Sequence, residues 1–420
     1  MKELKKNIID KNVNVIFIYS AFSAFFISLA HVYVIVKPEL LLNAPITGGL
    51  IVWVHLHTLG AITPLFLGIG FYNLTNRYNI QVKKTQILHQ MLTLYIPLPF
   101  FLFLVINREG SIWLTLSAFV IFTSFAYYIF MYANALRKVE KGNRDFEFYT
   151  DAVSLYFLFQ AVLFGFALAA NLSFHFFRRD ITHSIKLHSH SGILGFWLLQ
   201  YLNMIYRVVK IGKKYNSSEF KSQNKFLKYA VVTLSVGIFL WTSVHDRFSW
   251  FFYVFYASVA LTIFFLFLYF IGNKKNKSEE NNTNISYRQI FNVQILMFFF
   301  MAFTLASVLI FSNSSNFIYS NHISLIYIYT VFYCIFIYVL IQFLAIKINE
   351  NFKPSVNFYK KLKSAYVIYI TFVIFFIMSI IFENILYMRL NQLFMLLDVW
   401  FISYIFYFEK NNVLVKSRGV

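Results

Sequence analysis

The sequence predicts an all-α polytopic membrane protein, with twelve transmembrane helices in three four-helix arcs forming a single integral membrane domain over residues 1–420. Three observations carry this expectation. Hydrophobic residues make up 59% of the chain and charged residues only 13%, a balance foreign to soluble domains. Apolar runs of about 20 residues, the length a helix needs to cross the hydrocarbon core, recur from end to end. Histidines in corresponding spans also return at nearly constant intervals, as three similar blocks would place them.

The spans fall at 13–36, 47–74, 86–107, 111–136, 152–172, 185–206, 229–245, 250–272, 289–312, 322–346, 365–383 and 388–408. Taken four at a time they give approximate repeats over 13–150, 151–275 and 286–408. Pro64 in the second span, and Pro97 with Pro99 in the third, remove backbone donors and are expected to kink those helices. Gly60, Gly68 and Gly70 suit either close approach of a neighbouring helix or a flat macrocycle lying against the second span. Gln160, Gln200, Asn203 and Gln342 are expected to hydrogen-bond between helices. Asp398 is the only acid placed deep in a span, and a hydrogen bond to a neighbouring helix is its expected role. The start, Met1–Lys11, is charged without the short apolar stretch of a signal peptide, so no cleavage is expected.

A net charge of +20 would suggest nucleic acid in a soluble chain. In a membrane chain it marks the cytoplasmic loops, and no nucleic-acid partner is expected. With the N-terminus inside, all but seven of the 37 Lys and Arg fall on inner segments; the exceptions are Lys37, Arg108, Arg178, Arg179, Lys186, Arg247 and Arg389. The split predicts a multi-pass protein of the cytoplasmic membrane, surrounded by the lipid bilayer, with both termini cytoplasmic. The stretch NKKNKSEENNTN at 273–284 reads as a solvated inner connector, and a single cysteine, Cys334, excludes an internal disulfide and a zinc finger.

Ten histidines need a reason in so apolar a chain, because each costs free energy in hydrocarbon unless it finds a partner, a cavity or a ligand. His55 and His57 lie in the outer half of span 2, His188 and His190 at the outer start of span 6, His245 at the outer end of span 7 and His322 at the outer start of span 10. His31 and His175 end spans 1 and 5, His183 is placed in an outer loop, and only His89 is on the inner side. From His57 to His190 is 133 residues and from His190 to His322 is 132, one histidine per four-helix block. On a helix, residues two apart differ by about 200°, so the rings of a His-x-His pair leave on opposite faces and are badly placed to share one metal.

The segments HLHTLGAITPLFLGIGFY (55–72) and HSHSGILGFW (188–197) resemble the HxH…G segments of stand-alone relatives of the haem-copper oxidase large subunit (subunit I), including the NnrS type. The architecture resembles that subunit over nearly the whole chain. In that family, histidines of helices 2 and 10 are axial ligands of a low-spin haem, and helices 6 and 7 supply copper ligands. By position, the resemblance implies that His55 or His57 with His322 holds a haem b as a bis-imidazole pair. It implies likewise that His188 or His190 with His245 forms a copper site or a second haem site. Arg178 and Arg179 precede that region and would neutralise haem propionates or meet lipid headgroups.

The sequence also departs from the family pattern. Gly192 and Leu194 stand where a tyrosine would follow a copper-ligand histidine, His245 is single, and His322 has no second histidine beside it. These departures argue against a complete copper site facing a high-spin haem, and so against oxygen reduction. Span 8, Trp250–Gly272, holds no acid, Lys or His, which argues against proton pumping. The resemblance therefore implies a haem-binding, and further a copper-binding, membrane protein with a redox or gaseous-ligand role in nitric oxide chemistry or respiratory stress, served by an electron donor. The alternative is a metal-free transporter or scaffold that retains the fold; a terminal oxidase or nitric oxide reductase ranks last.

Overall fold

A computed structural model of the chain describes residues 2–41, 48–78, 80–107, 110–176, 181–212, 218–243, 250–275 and 385–418, with scattered positions between 361 and 382. All regular structure among them is helical. In chain order the α-helices are α1 (Lys2–Val36), α2 (Gly48–His55), α3 (Thr63–Asn76), α4 (Lys84–Tyr95), α5 (Pro97–Ile106), α6 (Ile112–Arg137) and α7 (Phe146–Phe174). Then come α8 (Ile181–His190), α9 (Leu199–Gly212), α10 (Ser218–Ser243), α11 (Trp250–Lys275) and, at the C-terminal end, α12 (Ile385–Arg418). Two segments, Leu56–Ile62 and Ser191–Leu198, are wound as π-helix.

Among the described residues, six helical stretches are long and apolar enough to cross a membrane: Ile18–Val36, Gly48–Thr75, Lys84–Ile106, Ile112–Arg137, Phe146–Phe174 and Ile385–Ile405. They coincide with the first five predicted spans and the twelfth, and they make the chain a multi-pass helical membrane protein. Predicted spans 6, 7 and 8 correspond to helices from α8 to α11. Spans 9 and 10 lie outside the described residues, as does most of span 11.

Side-chain burial follows lipid-facing logic. Leu88, Leu92, Ile96 and Phe103 along α4 and α5, and Trp113, Phe119 and Phe130 on α6, are exposed, whereas Ser23, His31, Thr150, Asp151, Ser154 and Ser191 are buried. Hydrocarbon accepts the first group freely and penalises the second unless protein satisfies it.

The prolines act as their chemistry requires. Ile96 N–H still donates to Leu92 O (3.1 Å), but Pro97 has no N–H to carry the ladder on, and α4 gives way to α5 there. At Pro64 the outcome is a change of winding: the preceding turn is π-wound, and Thr63 N–H donates to Thr58 O, five residues back. Two expected positions are corrected. The fifth span begins at Phe146, so Asp151 is inside the helix instead of just before it, and His183 lies within α8 instead of in a loop. At the other end of α7, His175 adopts a left-handed conformation (φ 53°) and its N–H donates to Asn171 O at 2.8 Å, the C-terminal arrangement that ends many helices.

The chain divides into two compact units, Met1–Ile16 with Phe66–Asn281, and Phe17–Leu65 with Asn282–Val420. In the first, α6 packs on α4, α5 and α7; α7 also packs on α8, the Ser191–Leu198 segment and α9; α10 pairs with α11. In the second, Trp400 Nε1 on α12 donates to Ser28 Oγ on α1 (2.9 Å), and Ser23 Oγ on α1 donates to Ala61 O in the first π segment (2.7 Å).

Candidate functional site

Each His-x-His pair lies at the junction where an α-helix passes into π-helix. His55 ends α2 and is followed by the π turn Leu56–Ile62; His190 ends α8 and is followed by Ser191–Leu198. A π turn widens the helix and shifts the register of every side chain beyond it, and such turns concentrate at functional positions.

At the first pair, His55 Nδ1 donates to Ile51 O (2.7 Å) and His57 Nδ1 donates to Trp53 O (2.9 Å). His55 is half-buried. His57 is buried, with its ring 4.5 Å from the Trp53 ring and edge-on to His31 at 5.2 Å between centroids. His31 Nδ1 in turn lies 2.7 Å from Gln392 Oε1 on α12, and Gln392 Nε2 donates to Asn391 Oδ1 at 2.7 Å. Gly60 lets Phe26 of α1 approach: a Cβ there would lie 2.7 Å from Phe26 Cβ. Gly70 is likewise covered by the Tyr128 hydroxyl. Close approach of a neighbouring side chain is seen at Gly60 and Gly70.

At the second pair the rings part as the spacing predicts. His188 turns to α7, where its Nδ1 donates to Ala161 O (2.7 Å) and Gly165 clears the space; a Cβ on Gly165 would lie 2.7 Å from His188 Cε1. His190 turns to α10 and α11, with ring centroids 6.0 Å from Trp241 and 5.7 Å from Phe255, themselves stacked at 5.2 Å. Gln160 accepts from Ser191 Oγ (3.0 Å), an interhelical bond as expected.

A backbone carbonyl can only accept, so His55, His57 and His188 carry the proton on Nδ1 when neutral and present Nε2 as the ligating nitrogen. Ligating histidines are commonly oriented this way, with the second nitrogen bonded to a carbonyl, so the donor chemistry fits haem or copper. His245, His322, Arg178 and Arg179 lie outside the described residues, so no axial pair is visible. Among the described residues, no three His, Cys, Asp or Glu side chains gather into a metal-binding group.

Sequence reasoning missed a polar centre at the other end of α7. The buried carboxylate of Asp151 accepts four hydrogen bonds: Oδ2 from Tyr78 (2.8 Å) and Tyr132 (3.0 Å), Oδ1 from Gln200 (3.1 Å) and Asn203 (2.7 Å). Gln200 also donates to Ser154 Oγ (2.5 Å). Beside it, Arg77 pairs with both Asp145 and Glu147. Four charge-assisted donors repay much of the cost of burying a carboxylate, which makes Asp151 a tie between α6, α7 and α9. The legible signal was Gln200 with Asn203, two amides three residues apart in an apolar helix. Asp398, the acid singled out from sequence, is buried on α12.

The sequence matches no protein-family model, and neither a curated protein nor a solved structure matches it.

Proposed function

We propose that this chain is a haem-binding membrane protein, with copper as a further group, related to the haem-copper oxidase large subunit and serving a redox or gaseous-ligand role. One observation carries the reading: both His-x-His pairs open into π turns, and three of the four imidazoles are oriented through Nδ1 by backbone carbonyls. One imidazole of the second span pairs with His322 about haem b; His188 or His190 joins His245 at a copper or second haem site, with Arg178 and Arg179 toward propionates. Bound haem would supply one-electron chemistry or a seat for a gaseous ligand. The chain's own part is to hold imidazoles at fixed tautomer in a dry interior. Twelve helices in three arcs, with both termini cytoplasmic, complete this reading. Reporter fusions at Asn216 and Asn411 should read inside and one at Asn313 outside; an external signal from Asn411 would overturn the topology.

A metal-free transporter or scaffold is the second reading. It is favoured by the bonds from His55 and His57 to carbonyls four residues back, which also satisfy packing histidines. The visible spectrum and metal content of protein from haem-replete cells separate the two: the first reading requires a Soret band, the second its absence.

A further inference from the structure

Along the seam between α4 and α6 lies a polar pair that neither the haem reading nor the Asp151 centre uses. His89 on α4 meets Tyr127 on α6 edge-on, with ring centroids 5.6 Å apart. His89 is exposed and Tyr127 half-buried, and neither an imidazole nitrogen of the first nor the hydroxyl of the second is hydrogen-bonded to a described residue. We propose that this seam binds an anionic phospholipid, with its phosphate held at Lys84, His89 and Tyr127 and its acyl chains lying on Leu88, Leu92 and Phe130.

The contacts fix the depth. Beside the ring pair, Ser124 Oγ of α6 donates to Gln90 O of α4 at 3.3 Å, so the two helices run antiparallel there, with His89 level with Tyr127. Lys84 opens the apolar stretch Lys84–Ile106 and is five residues, about 8 Å, from His89 along the axis. Arg137 closes the stretch Ile112–Arg137 ten residues, about 15 Å, beyond Tyr127, so α6 overhangs the start of α4. The ring pair therefore lies below the basic helix ends, where hydrocarbon begins, and Leu88, Leu92 and Phe130 are 55%, 46% and 65% exposed. An imidazole open to lipid at that depth is costly unless an acceptor meets it. A lipid phosphate, with the ester carbonyls beneath it, is the acceptor a bilayer offers.

Charge selects the headgroup. Lys83, Lys84, Arg137, Lys138 and Lys141 are exposed around these helix ends, and none is in an ion pair with a described residue. Against them stands one exposed acid, Glu140, in the loop after α6. A zwitterionic head would bring a further cation into this excess, whereas an anionic one relieves it. Each basic residue near an anionic lipid surface is worth about 5-fold in affinity.

The test uses full-length protein in detergent, titrated with phosphatidylglycerol and with phosphatidylcholine of the same acyl chains, and bound lipid is counted by native mass spectrometry. The wild type should prefer phosphatidylglycerol by at least about 10-fold. The double variant Lys83→Gln with Lys84→Gln should lose that preference while binding phosphatidylcholine as before. His89→Leu and Tyr127→Phe, both compatible with a lipid-facing surface, should each weaken phosphatidylglycerol by about 5-fold, in line with one charge-assisted hydrogen bond. Lys37→Gln, a cation outside the seam, should change nothing. Phosphatidylglycerol carrying a photoactivatable acyl chain needs no variant, and its adducts should gather near Leu88, Leu92 and Phe130. Equal affinity for the two lipids, undiminished binding in both ring variants, or adducts spread evenly over the exposed faces of α4 and α6 would overturn the site. Displacement of the lipid by excess inorganic phosphate at constant ionic strength would assign these cations to a free anion and overturn it too. A Soret band, present or absent, bears on the haem reading alone.

Discussion

The segments 55–62 and 188–198 share a motif and a change of helical winding, yet they hold their rings by different means. In the first, both imidazoles are tied to carbonyls four residues back in their own helix, so their orientation is a local property of the chain. In the second, His188 is tied across to α7 through Ala161, and His190 rests on rings from α10 and α11. Tertiary packing thus positions the second pair, whereas the first is oriented by carbonyls of its own helix. Disturbing α7 should therefore move the second pair most.

The largest effect is expected from Asp151→Ala, which removes the shared acceptor of Tyr78, Tyr132, Gln200 and Asn203 and leaves only the Gln200–Ser154 hydrogen bond of this cluster between α9 and α7, just past the second π turn. A loss of at least about 3 kcal/mol is expected, read as a lower thermal midpoint in detergent, and an unchanged midpoint would refute the bracing role. Next comes Gly165→Val, which drives a side chain into the His188 ring and should cost about 1–3 kcal/mol. Its nuclear magnetic resonance signature should be a displaced His188 ring with unshifted His55 and His57 resonances; equal shifts at all three would erase the distinction between local and tertiary positioning. Gln392→Leu removes the acceptor of His31 and should cost about 1 kcal/mol, in line with interhelical hydrogen bonds in membranes. Smallest is Gly192→Ala, whose new Cβ would lie 3.7 Å from Ala161 Cβ in ordinary contact. A midpoint within about 0.5 kcal/mol of wild type is expected, and a large loss would show that the π turn itself requires glycine.

Local chemistry was legible in the sequence, and long-range pairing was not. Apolar length alone located the helices from Ile18 to Phe174 and the one from Ile385, and the missing N–H of Pro97 marked the break in the third. The opposite faces of His188 and His190 followed from helical rotation. The π winding did not: Pro64 marked a disturbance in the second span but not its form, and no proline marks the Ser191–Leu198 segment. His31 looked like a residue at the end of a span; its partner Gln392 is 361 positions away. Asp151 fell one residue outside the predicted span 152–172, and only donors brought in from α6, α9 and the segment just after α3 make its burial tolerable.

The visible absorption spectrum of protein purified from haem-replete cells tests the haem reading most directly. A bis-histidine haem b spectrum is expected in the wild type, abolished by His322→Ala and by only one of His55→Ala and His57→Ala. Haem-free protein whose fold is intact by circular dichroism would contradict it and leave the metal-free transporter or scaffold standing.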